Sequence, residues 1–437
     1  MKRVLYMCYY WPPCGGITVV RNVKFVKFFR EFGWEPVVYA PKDPNYYFLD
    51  DTTFKDIPEG VEVLKTPARE PFGLFNLLQG KKKGDKVKDV FLVRDREPGL
   101  IHKLGIWVRG NFFIPDARML WIKPSVKYLS KYIEEHQIDA IISAGPPHSM
   151  HRIALALEKK FNIPYIADFG DPWTQIDYFE KFMLTDFARN KHKRQEQEVL
   201  TNAGKVVIVS PTWADDMAKL CGRPVDCIPT GYDLDDFKGI EPVNGGKFTI
   251  CHFGTLGIDR NPDNLWKALA ELANEVAGFR EDFQVMLGGS WDYTIPQNIE
   301  ALGLKANLQC FGALSRDEIM ARLLGSGIQL LLINKGFGDY NIKGRIPAKV
   351  FEYMGSKKPI LTIGPTDSDV AGIVAETETG ITCTYDDMPG LKKAVLTYYQ
   401  AWKEGKQLLH PKNIEKYSFR NLTGKMAGLL NEITVKK

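Results

Sequence analysis

The sequence predicts an α/β protein built from two doubly wound parallel-sheet domains. Short apolar runs alternate with helical periods along most of the 437 residues. The runs are apolar on both faces, the pattern of strands buried between helix layers. The rhythm also breaks at a polar stretch containing Gly and Pro, 232–247, and then begins again. A length prior of about 150 residues per domain agrees with two or three domains.

The first half gives strands at 3–9, 35–40, 61–65, 139–144, 164–169 and 205–210. Between the first two, Val20, Val23, Val26 and Phe29 recur at helical spacing. Phe25, Phe28 and Phe32 widen that face and Gly33 closes it, so 18–32 reads as one amphipathic helix. Residues 151–161 repeat the pattern with Ile153, Leu157 and Phe161. The second half gives strands at 248–253, 283–287, 307–311, 328–333, 359–363 and 380–384. One of its helices opens with Ser315-Arg316-Asp317-Glu318, a capping box in which serine caps and glutamate reaches back. The expected organisation is a first domain over 1–228, a linker over 229–247, a second domain over 248–411 and a final helical stretch over 412–437. An insertion at about 66–125 interrupts the first domain. Its tip carries Lys81-Lys82-Lys83, Lys86 and Lys88. Such a charge run is either a solvated loop or a contact with anionic lipid, each basic residue then contributing about 1 kcal/mol.

Composition narrows the function. With 44% apolar and 25% charged residues the chain is neither disordered nor fibrous. Its longest apolar runs, about seven residues, fall far short of the ~20 that span a bilayer. The charge of +5, from 58 basic and 53 acidic residues, is too mild for a nucleic-acid protein. It suits phosphate-bearing ligands or an anionic surface. Trp11-Pro12-Pro13 follows the basic start too soon for a secretory h-region. The seven cysteines form no Cys-x-x-Cys pair, so they read as reduced, buried thiols of a cytosolic protein, and their spacing speaks against zinc.

Ligands of open parallel sheets bind beyond the carboxyl ends of the strands, so the loops there are the places to look. The first, Trp11-Pro12-Pro13-Cys14-Gly15-Gly16, precedes a helix. Its two glycines permit close approach of the backbone, and the helix N-terminus favours an anion. It is neither a dinucleotide fingerprint nor a Walker loop, and a plain tight turn is the alternative. The second, Gly145-Pro146-Pro147-His148-Ser149-Met150-His151, offers histidines that either meet a substrate hydroxyl or phosphate or cap the helix locally. In the third, Asp168 and Asp171 act as base, hydroxyl acceptor or metal ligand, or simply fix the loop. In the second half, Gly254-Thr255-Leu256-Gly257-Ile258-Asp259-Arg260 gives a glycine turn followed by an arginine able to pair two phosphate oxygens, and Gly288-Gly289-Ser290 ends the next strand similarly. Then comes Lys343-Gly344-Arg345-Ile346-Pro347-Ala348-Lys349-Val350-Phe351-Glu352-Tyr353-Met354. Pro347 suits a first helical turn, and Lys349 and Glu352 share a face. They form either a surface ion pair or a site, in which Gly344 and Arg345 face phosphate or sugar and Glu352 accepts two ribose hydroxyls.

These segments, in this order, resemble the retaining glycosyltransferases of family 4, which have the two-Rossmann GT-B architecture. The resemblance covers essentially the whole chain. It includes Pro12-Pro13-Cys14-Gly15-Gly16, Pro146-Pro147-His148-Ser149, the Asp-Phe-x-Asp-Pro-Trp segment at 168–173, Ile228-Pro229-Thr230-Gly231-Tyr232-Asp233, and Ile346 to Met354. It implies two domains facing across a cleft, with a nucleotide-sugar donor on the second and a glycan or lipid-linked acceptor on the first. Glu352 would then take the ribose hydroxyls and Arg260 the diphosphate. The Gly15 and Gly16 backbone would approach that diphosphate, and His148 would lie near the transferred sugar. With the residue-level readings above, the expected catalytic groups are His148, Asp171 and Gly16. The expected donor site comprises Gly15, Gly16, Gly254, Thr255, Arg260, Gly344, Arg345, Lys349 and Glu352. Neither a cofactor nor a metal ion is expected, and the final helix would return to the first domain.

Three positions depart from the family pattern. Gly344 stands where a glutamate eight residues before Glu352 is common, Gly170 where arginine is usual, and Thr255 where arginine often follows the glycine turn. Arg345 or Lys349 would then support Arg260. The expected activity is sugar transfer from a nucleoside diphosphate in a bacterial cytoplasm, with peripheral membrane contact through 66–125. The rivals are an epimerase or hydrolase on the same frame and a degenerate sugar-nucleotide scaffold. A NAD dehydrogenase is disfavoured because neither half carries the glycine fingerprint.

Overall fold

The structure is a computed structural model that describes residues 1–435 apart from 45, 47, 69–99, 178, 244, 335–341 and 408. The lysine-rich tip expected at 81–88 lies outside the described residues. Contacts divide the chain into Met1–Pro229 with Phe419–Lys437, and Thr230–Ser418.

The first unit holds seven parallel strands: β1 (Lys2–Cys8), β2 (Trp34–Lys42), β3 (Glu62–Pro67), β4 (Ala140–Gly145), β5 (Tyr165–Phe169), β6 (Lys205–Ile208) and β7 (Asp226–Cys227). Their order is β3-β2-β1-β4-β5-β6-β7. The two-residue β7 has no apolar run to announce it. Residues Val4 to Tyr9 are buried, as a central strand between helix layers requires. The expected helix at 18–32 divides: Ile17–Phe28 is α-helical, Phe29–Phe32 tightens into a 3-10 turn, and Gly33 ends it at φ 81°. The final helix, Phe419–Thr434, lays Leu422, Met426 and Leu430 into this same core. Its Phe419 ring meets Phe25 edge-on at 6.0 Å.

The segment at 66–125, expected as an insertion, carries the helix Leu100–Phe112 and the start of Met119–Glu135. Tertiary packing explains the second of these. Trp121 is fully buried and stacks on Tyr39 at 5.2 Å, an anchor that outweighs the proline at 124. No helix among the described residues is long and apolar enough to cross a membrane.

The second unit holds six parallel strands: β8 (Phe248–Leu256), β9 (Phe283–Trp291), β10 (Leu308–Phe311), β11 (Ile328–Leu332), β12 (Ile360–Ile363) and β13 (Gly380–Cys383), ordered β10-β9-β8-β11-β12-β13. The glycine turns expected after 253 and 287 are not turns. β8 and β9 continue through them, pairing Gly254 with Gly289 and Thr255 with Ser290. The close approach explains the glycines: Gly289 sits at φ 106°, and a Cβ there would fall 2.7 Å from the Gly254 carbonyl oxygen. In each sheet the strand order reverses beside its first strand, between β1 and β4 and between β8 and β11. Those switch points are where such sheets receive ligands.

Candidate active site

In the first unit the chain leaves β1 into a compact turn, in which the Cys14 amide donates to the Trp11 carbonyl and the Gly15 amide to the Phe48 carbonyl, each at 3.0 Å. Gly16, at φ 100°, opens the helix Ile17–Phe28 with no side-chain cap. That leaves an exposed helix N-terminus at the β1 switch point, electrostatically suited to an anion.

His148 follows β4 and is buried. Its ring lies parallel to the Trp173 indole, 2° between planes and 4.8 Å between centroids, and its Nδ1 has no hydrogen-bond partner among the described residues. Burial, and then the neighbouring His151 and His192, hold its pKa well below the usual value, so the imidazole is neutral. His151 bonds Ser143 Oγ through Nδ1 at 2.8 Å, and burial lowers its pKa to about 3. Gly145 makes room for that ring, since a Cβ would fall 2.5 Å from Nε2. Neither histidine caps the following helix. Asp116 does so, accepting from the Ser149 amide and hydroxyl, each at 2.8 Å.

The two aspartates after β5 separate in role. Asp168 is buried and paired with Arg21 at 2.8 Å, and Arg21 also donates to the Ile228 and Pro229 carbonyls. This carboxylate fixes the core. Asp171 lies three residues on, half-buried, in the turn that carries Trp173. That turn is held from the helix Asp186–Asn202. The Trp173 indole N–H donates to His192 Nδ1 at 3.1 Å. Glu196 accepts from the Thr174 amide at 3.2 Å and the Thr174 hydroxyl at 2.5 Å. Burial pushes the Glu196 carboxyl up to about 7, against the pull of those bonds.

The second unit gathers its predicted residues more closely. Lys349 is the first residue of the helix Lys349–Ser356, so Pro347 precedes the helix rather than opening it. The Lys349 ammonium lies against Gly254, in space a Cβ would occupy. Among the described residues no carboxylate is within ion-pairing distance of it. Burial and then the Arg260 charge lower its pKa to about 8, against the smaller opposing effect of Glu352. Arg260 ends the short turn Ile258–Arg260, whose carbonyl accepts from the Tyr385 hydroxyl at 3.2 Å. Among the described residues its one carboxylate partner is Asp259, at a long 3.5 Å. His252, buried on β8, bonds the Leu330 carbonyl through Nδ1 at 2.9 Å, and burial holds its pKa near 3. Two cations therefore share one end of β8, and among the described residues no carboxylate bridges them. This is an arrangement for an anion.

Glu352 does not pair with Lys349 as the surface ion-pair reading had it. Its Oε1 accepts from Arg316 Nη1 at 2.9 Å, and Arg316 Nη2 reaches Asp236 at 3.0 Å. Thr255 is exposed and only grazes Ser290, at 3.4 Å. Gly344 is buried at the end of the turn Ile342–Gly344, and the Arg345 amide donates to the Ile342 carbonyl at 3.0 Å.

Two family models match this chain. "Glycosyltransferase Family 4" covers residues 18–236 and "Glycosyl transferases group 1" covers 234–409. The chain belongs to glycosyltransferase family 4. No curated relative matches its sequence. Among solved structures its fold is similar to sucrose-phosphate synthase from Thermosynechococcus elongatus, with TM-score 0.57 and 11% identity over 100% of this chain and 97% of that one. It is also similar to Anabaena HepE in complex with UDP-glucose, with TM-score 0.55 and 12% identity over 99% and 98%. A third is a mutant of S. aureus TarM in complex with fondaparinux, alpha-GlcNAc-glycerol and UDP, with TM-score 0.56 and 11% identity over 99% and 100%. This glycosyltransferase therefore has the two Rossmann-like domains of the GT-B architecture.

Several residues of this glycosyltransferase's site escaped the motif reading. Arg316 was visible only as part of a capping box, and nothing local reveals that its side chain crosses to Glu352. His252 sits two residues before Gly254, a strand-end signal that was available. Asp116, Glu196 and His192 lie far in sequence from the loops they fix.

Proposed function

We propose that this glycosyltransferase moves a sugar, with retention, from a nucleoside diphosphate to a glycan or lipid-linked saccharide. The observation that carries the reading is the pair of cations, Arg260 and Lys349, held at the end of β8 one helical turn from Glu352. In this reading the pair receives the donor diphosphate and Glu352 accepts the ribose hydroxyls. Gly254 leaves room for the Lys349 ammonium, and Gly344 and Arg345 border the sugar. Thr255 supplies a hydroxyl where a second arginine would otherwise stand. As the bond to the anomeric carbon breaks, charge accumulates on the departing diphosphate, and fixed cations stabilise it there without reorganisation. These two charges fill the role a divalent ion has elsewhere, so turnover is expected to persist in chelator.

The acceptor belongs to the first domain in this reading. Neutral His148, clamped against Trp173, offers a ring nitrogen to a sugar hydroxyl. Asp171 follows on the next loop, and Gly16 presents its backbone amide to phosphate, while Gly15, whose amide is held by the Phe48 carbonyl, lets the backbone come close. Gly170 leaves that loop without the usual guanidinium. The HepE and TarM structures contain UDP-glucose and UDP, which makes a uridine donor the first to try. A bacterial cell, a cytoplasmic site and peripheral contact with an anionic membrane complete the proposal.

The test is a thermal-shift panel of UDP, GDP, ADP, CMP and dTDP with their sugar conjugates, with and without chelator. A ligand at 100 times its dissociation constant stabilises the native state by about 2.7 kcal/mol. A shift with one diphosphate family, unchanged by chelator, supports the reading, and product analysis with and without acceptor then separates transfer from epimerisation. No shift with any of them overturns the donor site.

A further inference from the structure

We infer that Arg316 is the positioning residue that makes the donor site selective for a ribonucleoside, acting through Glu352. The inference rests on the reading of Glu352 as acceptor of the ribose hydroxyls.

Arg316 is the first residue of the helix Arg316–Gly325, whose entry is fixed by the capping box between Ser315 and Glu318. The backbone from which its side chain springs is therefore set. Its guanidinium spans two carboxylates from different parts of the domain: Glu352 Oε1 at 2.9 Å and Asp236 Oδ2 at 3.0 Å. All three side chains are mostly buried, with exposures of 18% for Arg316, 7% for Asp236 and 19% for Glu352. Asp236 is buried on the turn Leu234–Phe237, so one arm of the fork is tied to a second segment of the domain.

Glutamate has three rotatable side-chain bonds, and an untethered one loses that freedom when it grips a ligand. Here Oε1 is already anchored. A carboxylate has about four lone-pair positions, so Oε2 and the remaining lone pair of Oε1 stay available for two adjacent hydroxyls. Without the guanidinium, Asp236 and Glu352 would be two like charges in a poorly hydrated place, and Glu352 would swing away. Arginine performs this role because its planar fork holds both carboxylates at once, whereas lysine is a point charge. The site thus divides into a cationic part that reads phosphate and an anchored carboxylate that reads ribose.

The experiment compares dissociation constants for UDP and 2′,3′-dideoxyuridine diphosphate, or the equivalent pair for another base if the panel selects one. The proteins are the wild-type chain, Arg316→Met, Arg316→Lys and Glu352→Gln. A charge-assisted hydroxyl bond contributes about tenfold in affinity or more. Wild type is expected to prefer the ribonucleotide by at least about tenfold, and Arg316→Met to lose most of that preference while binding the dideoxy form as wild type does. Arg316→Lys is expected to fall between, and it carries the test if Arg316→Met does not fold. A purely structural role for Arg316 lowers both affinities together and leaves their ratio unmoved, and a wild-type ratio in both arginine variants overturns the inference. A ratio near one in wild type overturns the ribose reading of Glu352, whereas a high wild-type ratio that Glu352→Gln lowers and the arginine variants do not overturns only the role of Arg316.

Discussion

The sharpest consequence of the proposed donor site concerns protons. Lysine ordinarily titrates near 10.5, and Lys349 is displaced to about 8, first by burial and then by Arg260. That displacement corresponds to on the order of 3 kcal/mol disfavouring its ammonium form in the empty protein. A diphosphate placed between Lys349 and Arg260 reverses the balance, because its charge stabilises the ammonium and raises the pKa again. Binding below about pH 7 then meets a lysine already protonated, and binding near pH 9 must take up a proton. The dissociation constant of UDP, or of the diphosphate the panel selects, is expected to be nearly flat around pH 7. Above about pH 8 it should rise, approaching tenfold per pH unit. Isothermal titration calorimetry in two buffers of different ionisation enthalpy counts the proton directly: close to one taken up near pH 9, close to none near pH 7. Lys349→Arg keeps the charge without titrating, so it is expected to bind with a flat profile, and Lys349→Met to bind at least about tenfold more weakly with the same flat profile. Equal proton uptake by wild type and Lys349→Met would refute the assignment of that proton, and with it the placement of the diphosphate at Lys349.

Three further outcomes follow from the first domain. Glu196 is raised from its ordinary 4.5 to about 7, so its stabilising contribution is full below pH 4.5 and is lost as pH rises through 7. Glu196→Gln is therefore expected to raise the melting temperature at pH 8 and to leave it nearly unchanged at pH 4.5, a difference of about 2–3 kcal/mol readable by calorimetry. Asp168→Ala leaves Arg21 buried with its charge uncompensated and is expected to cost about 3–5 kcal/mol in urea unfolding. His148→Ala is expected to lower kcat by about tenfold or more, with the nucleoside diphosphate affinity unchanged, because the proposed reading gives that ring to the acceptor.

The fold was legible because burial on both faces writes itself into sequence. Runs such as Val4–Leu5–Tyr6–Met7 and Leu330–Leu331–Leu332 are apolar without alternation, and each became a central strand. Misreadings arose where tertiary contact overrode a local signal. Gly254 and Gly289 look like turn residues, yet they are glycines because two paired strands pass too close for a Cβ. Trp121 holds a helix in a segment without clean periodicity, because its indole is fully buried against Tyr39. At the candidate site, loop position and helical spacing single out Arg260, Lys349 and Glu352. The partner of Glu352 was not, since the contact with Arg316 joins residues 36 apart in sequence and depends on where two helices start.

The same distinction explains why the two domains differ in how their polar groups are used. In the first, nearly every polar side chain around His148 has a structural partner: Asp168 holds Arg21, Asp116 caps the Ser149 helix, His192 holds Trp173 and Glu196 holds Thr174. Such satisfied networks fix a loop and leave few groups to meet a ligand. Among the described residues His148 Nδ1 and His151 Nε2 are exceptions, buried ring nitrogens without a hydrogen-bond partner. In the second domain Lys349 is held in a poorly hydrated place beside another cation, an arrangement that costs stability in the free protein. A fold tolerates such a cost where a ligand removes it. The unmatched ring nitrogens beside β4 and the uncompensated charge of Lys349 therefore give the proposed reading a physical ground independent of family, since a bound substrate would complete what the chain leaves open there.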